Sequence, residues 1–285
     1  MAHSRPIEQT HTSVPRPGVE LRWPAAAIWR PGEPAVRSIS VADLRDAIKK
    51  GFEDFNAVPT HVALLGIIYA VLGLILFRLA FGYDVLHLVY PLLIGFALLG
   101  PFAAIIFYQL SRRREQGLDV SVAHLLEVFR SPSIGAIFRL GLVLMLIFLA
   151  WMATAQLMYV QIMGGQIPAS FTAFLSDVLT TPAGHQLILV GNIVGLVFAL
   201  LVLVVSVVSF PMLVDRKIGA ATAARTSVRA VFASPLAMAV WGLIVLAALV
   251  LGALPLFFGL AVIIPVLGHA TWHLYRKTVS RDEVI

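Results

Sequence analysis

The chain contains no cysteine, which excludes disulfides, thiolate metal centres and cysteine nucleophiles while leaving the redox compartment undefined. Charge is scarce as well. Only 13% of the 285 residues are Asp, Glu, Lys or Arg, too few to coat a soluble domain of this size. The opening stretch lacks the apolar core that a secretory signal needs, and Pro6, Pro15, Pro17, Pro24, Pro31 and Pro34 interrupt it. Residues 1–36 are therefore expected as a disordered cytoplasmic tail, with Trp23 and Trp29 as its candidate interfacial anchors.

What the chain has in abundance is oil: 59% of it is hydrophobic and the mean hydropathy is +0.91. Leu187 to Val214 runs 28 residues without a charge, its polarity confined to Asn192, Ser206 and Ser209. At 1.5 Å per residue a helix of that length crosses a hydrocarbon layer of roughly 30 Å with residues to spare. Similar runs occupy Val62 to Ala80, Val85 to Tyr108 and Leu140 to Tyr159. The 36 charge-free residues from Leu236 to Thr271 suffice for a tight hairpin turning near Gly252 to Pro255. Pro91 and Pro101 are expected to bend the second run, and Pro265 the last.

The fold class read from this pattern is all-α: a polytopic membrane protein with six transmembrane helices and short cytoplasmic amphipathic helices. Arg112 to Arg114, Arg216, Lys217, Arg225, Arg229, Arg276 and Lys277 all fall on one side, whereas Gly164 to His185 contains no Lys or Arg. The positive-inside rule makes the basic side, with both termini, cytoplasmic. Five spans would put the terminal basic cluster outside, so six are favoured. The expected organisation is a tail over 1–36, a six-span domain over 37–279 and a cytoplasmic C-terminal tail over 280–285.

Three short helices accompany the spans. Ser40 to Phe55 opens on a capping box, Ser40 with Asp43, and its apolar stripe is Val41, Leu44, Ile48, Phe52 and Phe55. Ser121 to Phe129 and a segment containing Arg225 and Arg229 are the other two, and Asp215 is a candidate cap for the latter near Gly219. A further short helix is expected over Ala169 to Leu179 on the opposite side. The cytoplasmic helices end before Val58-Pro59, Ser131-Pro132 and Ser234-Pro235. Pro101, Tyr108, Leu110, Arg112 and Arg113 also match Pro265, Trp272, Leu274, Arg276 and Lys277 at identical offsets, which suggests three helix-plus-hairpin units.

Several of these pieces, taken in order, carry a family resemblance. Asp54-Phe55, Pro59-Thr60-His61, Gly95-Phe96-Ala97-Leu98, Ser111 to Glu115, Arg130 to Ser133, Val208 to Pro211, Asp215-Arg216 and Gly268 to Arg276 together resemble a bacterial family of integral inner-membrane proteins, domain of unknown function 2189. The resemblance implies an inner-membrane location and several spans. It brings no activity and no catalytic residues.

Chemistry is thinly marked. His269 and His273 share a helical face by their four-residue spacing, and His61 lies at the same expected depth, so three imidazoles can be drawn as a zinc site or one of them as a haem ligand. The alternative is hydrogen bonding at the membrane boundary. The pair lacks the intervening Glu of a zinc peptidase, Ser206 and Ser209 lack a neighbouring base, and no glycine-rich phosphate loop is present. No cofactor is expected. The leading reading is a membrane-embedded structural or partner-binding protein, its partners being membrane lipids and another inner-membrane protein, with no nucleic acid. The alternative is a small-molecule transporter or channel, in which Gln156, Gln161, Asn192 and Ser206 would have to face one cavity, and a metal- or haem-dependent membrane enzyme ranks third.

Overall fold

The computed structural model describes residues 34–57, 86–98, 100–120, 130–166, 168–255 and 257–284, with the isolated helical positions Ile67, Val71, Leu74, Ile75 and Arg78. His61, the rest of the expected first span, the expected helix Ser121 to Phe129 and the tail up to residue 33 lie outside the described residues.

Strand β1 (Pro34–Val36) leads into helix α1 (Val41–Ala57). The capping box forms with Asp in place of Glu: the Ser40 amide and hydroxyl both donate to Asp43 Oδ2, at 2.9 and 2.8 Å, and the Asp43 amide donates back to Ser40 Oγ at 3.4 Å. The buried line of α1 differs from the expected stripe. Leu44, Ala47, Gly51 and Asp54 face inward, whereas Val41 and Phe52 are exposed. The reason is backbone proximity to helix α11 (Leu260–Thr278): a Cβ on Gly51 would lie 2.8 Å from Ala270 N and 2.9 Å from Val266 O. Such an approach admits the line of small residues and turns the bulky one outward.

A 3-10 turn at Leu86–Leu88 precedes α2 (Val89–Leu98), α3 (Gly100–Ala103) and α4 (Ile105–Glu115). Pro91 sits in the first turn of α2, where its missing amide hydrogen leaves no bond unmade, and so does not bend the helix as expected. At Pro101 the expected interruption is present, helix giving way to a turn at Ala104. The expected span Leu140 to Tyr159 becomes the 30-residue α5 (Ile134–Met163), closed by Gly164 in the left-handed region at φ 78°. Helix α6 (Phe171–Thr180) follows, with the Ser170 hydroxyl accepting from the Ala173 amide at 3.1 Å. Thr181 then caps α7 (Pro182–Ser206), which has proline in its first turn.

The plainest apolar run divides at Val207 and Val208 into α7 and α8 (Ser209–Asp215). At the break the Val208 amide donates to Ser227 Oγ at 3.2 Å, and Ser209 Oγ donates to Ala223 O at 3.1 Å. Both acceptors belong to α9 (Ala220–Ala233), which therefore docks where the helix yields. Ser206 Oγ also donates to Val202 O one turn back, at 2.6 Å, as expected of a hydroxyl in an apolar helix.

Helices α10 (Pro235–Ala253) and α11 form the expected hairpin, with Gly252 and Gly259 in backbone contact across it. Pro265 is buried inside α11 without ending it. Strand β2 (Val279–Val284) pairs antiparallel with β1, Val36 opposite Val279 and Pro34 opposite Val284. This ribbon falls at the edges of the two expected tails, where the sequence shows no helical period.

Two zones result. Among the described residues, Ile134–Met163, Pro182–Asp215 and Pro235–Ala253 are long and apolar enough to cross a membrane. Their outer surfaces carry exposed Leu142, Leu157, Leu189, Leu196, Leu243 and Leu251, which suits hydrocarbon rather than water. At one end the chain turns inward. Ser206 to Val214 is buried throughout, and there Phe107, Phe210, Leu213, Trp272 and Tyr275 close a core that α1 seals. This end is called the base below.

Candidate functional site: the polar network in the base

The base holds two polar centres side by side, both built on α4 and α11. In the first, α1 delivers Asp54, α4 delivers Ser111 and Arg114, and α11 delivers His269 and His273. Asp54 Oδ2 accepts from Ser111 Oγ at 2.5 Å and from His273 Nε2 at 2.8 Å, while Oδ1 accepts from Arg114 Nη1 at 2.7 Å. Burial pushes the Asp54 carboxyl up, but the hydrogen bonds from His273 and Ser111 outweigh it and hold the group below its usual range. Asp54 is therefore a carboxylate.

That ionisation fixes the protons. A carboxylate only accepts, so the Ser111 hydroxyl spends its hydrogen on Asp54 and its oxygen must accept from His269 Nδ1, 2.8 Å away. The His269 Nε2 atom then keeps a lone pair, buried and without a hydrogen-bond partner, with the Phe107 ring edge-on at 5.6 Å between centroids. Ser, His and Asp are thus in contact, but in the wrong order for hydrolysis. A nucleophilic serine needs the ring between hydroxyl and carboxylate, whereas here the hydroxyl stands between them and is itself buried.

The second centre surrounds Asp215, at the end of α8. Its Oδ2 accepts from Tyr275 Oη at 2.7 Å and from Arg276 Nη1 at 2.9 Å. Arg112 Nε stands 3.7 Å from Oδ1 and Arg216 Nε 3.9 Å from Oδ2. Glu115 joins by accepting from Trp272 Nε1 at 3.2 Å and Arg276 Nε at 3.3 Å. Asp215 therefore ties α8 to α11 and does not cap α9, whose N-cap Gly219 has no side-chain bond. Arg112 and Arg276, which occupy matching places in the repeated sequence pattern, reach the same carboxylate. A third ionic contact lies nearby, where Lys277 Nζ meets Asp43 at 3.1 Å and Asp46 at 2.9 Å.

The candidate ligands His269 and His273 are brought to one carboxylate, with His269 Nδ1 and His273 Nε2 already engaged. Among the described residues no group of three His, Cys, Asp or Glu side chains is arranged to hold a metal ion. Sequence reasoning missed Asp54 and Ser111 as their partners. The available signal was that Asp54 continues the Leu44, Ala47, Gly51 line, which placed an acid on the packed face.

Polar residues of the spans are scattered. His87 Nε2 pairs with Gln156 Oε1 at 2.6 Å and stacks on Tyr159 at 4.2 Å. Tyr90 Oη donates to Asn192 Oδ1 at 2.9 Å, and Asn192 Nδ2 donates to Ile188 O at 2.7 Å. Gln161 is exposed.

Comparison with known proteins bears on the chain's middle. Residues 89–215 match a family of predicted integral membrane proteins, domain of unknown function 2189. The match takes in Ser111, Arg112, Arg114, Glu115 and Asp215, and leaves Asp54, His269 and His273 outside it. No curated protein and no solved structure matches the chain. With three candidate spans and further apolar helices beside that match, this is an integral membrane protein built of helices.

Proposed function

We propose that the protein is a six-span structural or partner-binding component of the bacterial inner membrane, with the base and both termini in the cytoplasm. The observation that carries this reading is how the polar groups are used. In the base they lock four helices together, through Asp54 and Asp215, into a platform below the lipid-facing helices. In the spans, Gln156, Asn192 and Ser206 are each bonded to a separate partner, His87, Tyr90 and Val202 O, which favours helix packing over a common transport route. The convergence of Arg112 and Arg276 on Asp215 supports the repeated helix-plus-hairpin organisation. The basic surface favours contact with anionic lipids over nucleic acid, because its charges flank apolar helices.

Affinity capture of the full chain from mild detergent tests the role. One reproducible stoichiometric partner is expected, and a monodisperse protein with none would move the reading to transport. Orientation is tested by single cysteines, for which the natural chain is already a blank background. Gln116→Cys and Arg225→Cys are expected to label from the cytoplasmic side and Ser170→Cys from the other; labelling of the first two from opposite sides would end the six-span reading. His61, His269 and His273 are assigned no resident metal: elemental and visible-absorption analysis should find far less than one metal or haem per chain, and a stoichiometric one would reverse that assignment.

A further inference from the structure

The Asp215 centre borders a cavity of about 390 Å³, open to the surface and lined by Arg112, Glu115, Gln116, Asp215, Arg216 and Arg276. Three guanidinium groups face two carboxylates there, an excess of one positive charge. The carboxylates are well supplied: Asp215 takes two hydrogen bonds, and Glu115 accepts from Trp272 and Arg276. Arg112 has an ion pair with Asp215 but no hydrogen bond from its Nε. That atom is buried, 3.7 Å from the nearest Asp215 oxygen. A guanidinium held by an ion pair but short of a hydrogen bond can take a further acceptor, and an anion also answers the surplus charge.

We propose that this cavity binds a phosphate group, gripped by Arg112 with Arg216 and Arg276 beside it. Planar guanidinium forks match the oxygen spacing of phosphate, and α4, α11 and the residue just after α8 bring three of them to one cavity. The phosphate comes either from a free anion or from a lipid headgroup, since Arg112 and Arg276 each stand within five residues of the end of an apolar run. The inference does not rest on the partner-binding role.

The test uses the full chain, delipidated in a neutral detergent, titrated with inorganic phosphate against chloride of equal ionic strength. Thermal stability and equilibrium binding are read for wild type, Arg112→Gln and, as a control outside the cavity, Arg225→Gln. If the source is free phosphate, wild type and the control bind it, and Arg112→Gln binds about tenfold more weakly or worse. If the source is lipid, native mass spectrometry of gently extracted wild type retains about one phospholipid per chain, and Arg112→Gln loses it. Should Arg112→Gln fail to fold, Arg112→Lys keeps the charge without the fork and is expected to weaken either ligand by a smaller factor. Binding of neither ligand by wild type, or equal loss in Arg112→Gln and Arg225→Gln, overturns the proposal.

Discussion

Helices α10 and α11 are the two limbs of one hairpin, each 19 residues long, and they meet opposite surroundings. Along α10, Leu236, Leu243 and Leu251 stand 72%, 65% and 64% exposed; along α11, Trp272, Leu274 and Tyr275 are fully buried. The contrast lies in how each helix is held. α10 presents leucine to hydrocarbon, where exchanging one apolar neighbour for another gains little. α11 carries His269, His273, Tyr275 and Arg276, whose polar atoms need partners of fixed geometry, and it finds them on α1, α4 and α8. Shape and polarity therefore specify the base, whereas mere oiliness suffices for the outer helices.

Substitutions on the two limbs should separate these regimes. Trp272→Ala removes a wholly buried indole and is expected to cost about 3–5 kcal/mol in unfolding from mixed micelles. Asp54→Ala strips Arg114, His273 and Ser111 of their common acceptor; a loss of about 2–3 kcal/mol is expected, moderated because Arg114 is partly exposed. Gly51→Val forces α1 away from the α11 backbone and should cost about 1–3 kcal/mol, read in the same experiment. At the bottom of the scale stands Leu243→Ala on α10, expected within about 0.5 kcal/mol. A loss at Leu243 as large as that at Trp272 would erase the distinction between the limbs.

The cap of α1 gives a smaller, pH-dependent effect. Ser40 and then Lys277 hold the Asp43 carboxyl at about 2, below its usual 3.8. A depressed carboxylate stabilises the fold above its unfolded pKa, and that contribution fades as pH falls through the folded value. The difference in melting temperature between wild type and Asp43→Asn should thus be present near neutral pH and close as pH drops from about 4 to about 2. Ser40→Ala should cost about 1 kcal/mol near neutral pH.

Apolar length made the lipid-facing helices legible, because a run such as Leu187 to Val214 has few other solutions than a long helix. The same criterion passed over its division at Val207, which depends on Ser227 arriving from α9 to take up a backbone amide. Helix α1 was legible as a helix and misread in rotation. Hydrophobicity ranks Phe52 above Gly51, but contact between backbones ranks them the other way. The histidine pair was visible as i, i+4 spacing, yet its shared carboxylate lies 219 residues from His273 along the chain, beyond any local pattern. The β ribbon escaped for a similar reason, since three residues at Pro34–Val36 acquire strand geometry only from a partner at the far end.

That separation in sequence has a consequence for biosynthesis. Helix α1 leaves the ribosome early, but Asp54 must wait for His273, about 11 to 44 s at typical elongation rates of roughly 5–20 residues per second. Throughout that interval the α1 face intended for α11 has nothing to close on. A nascent chain that stalls before α11 would therefore keep the Ala47 and Gly51 face uncovered, a mark by which quality control can distinguish an interrupted product from a finished one.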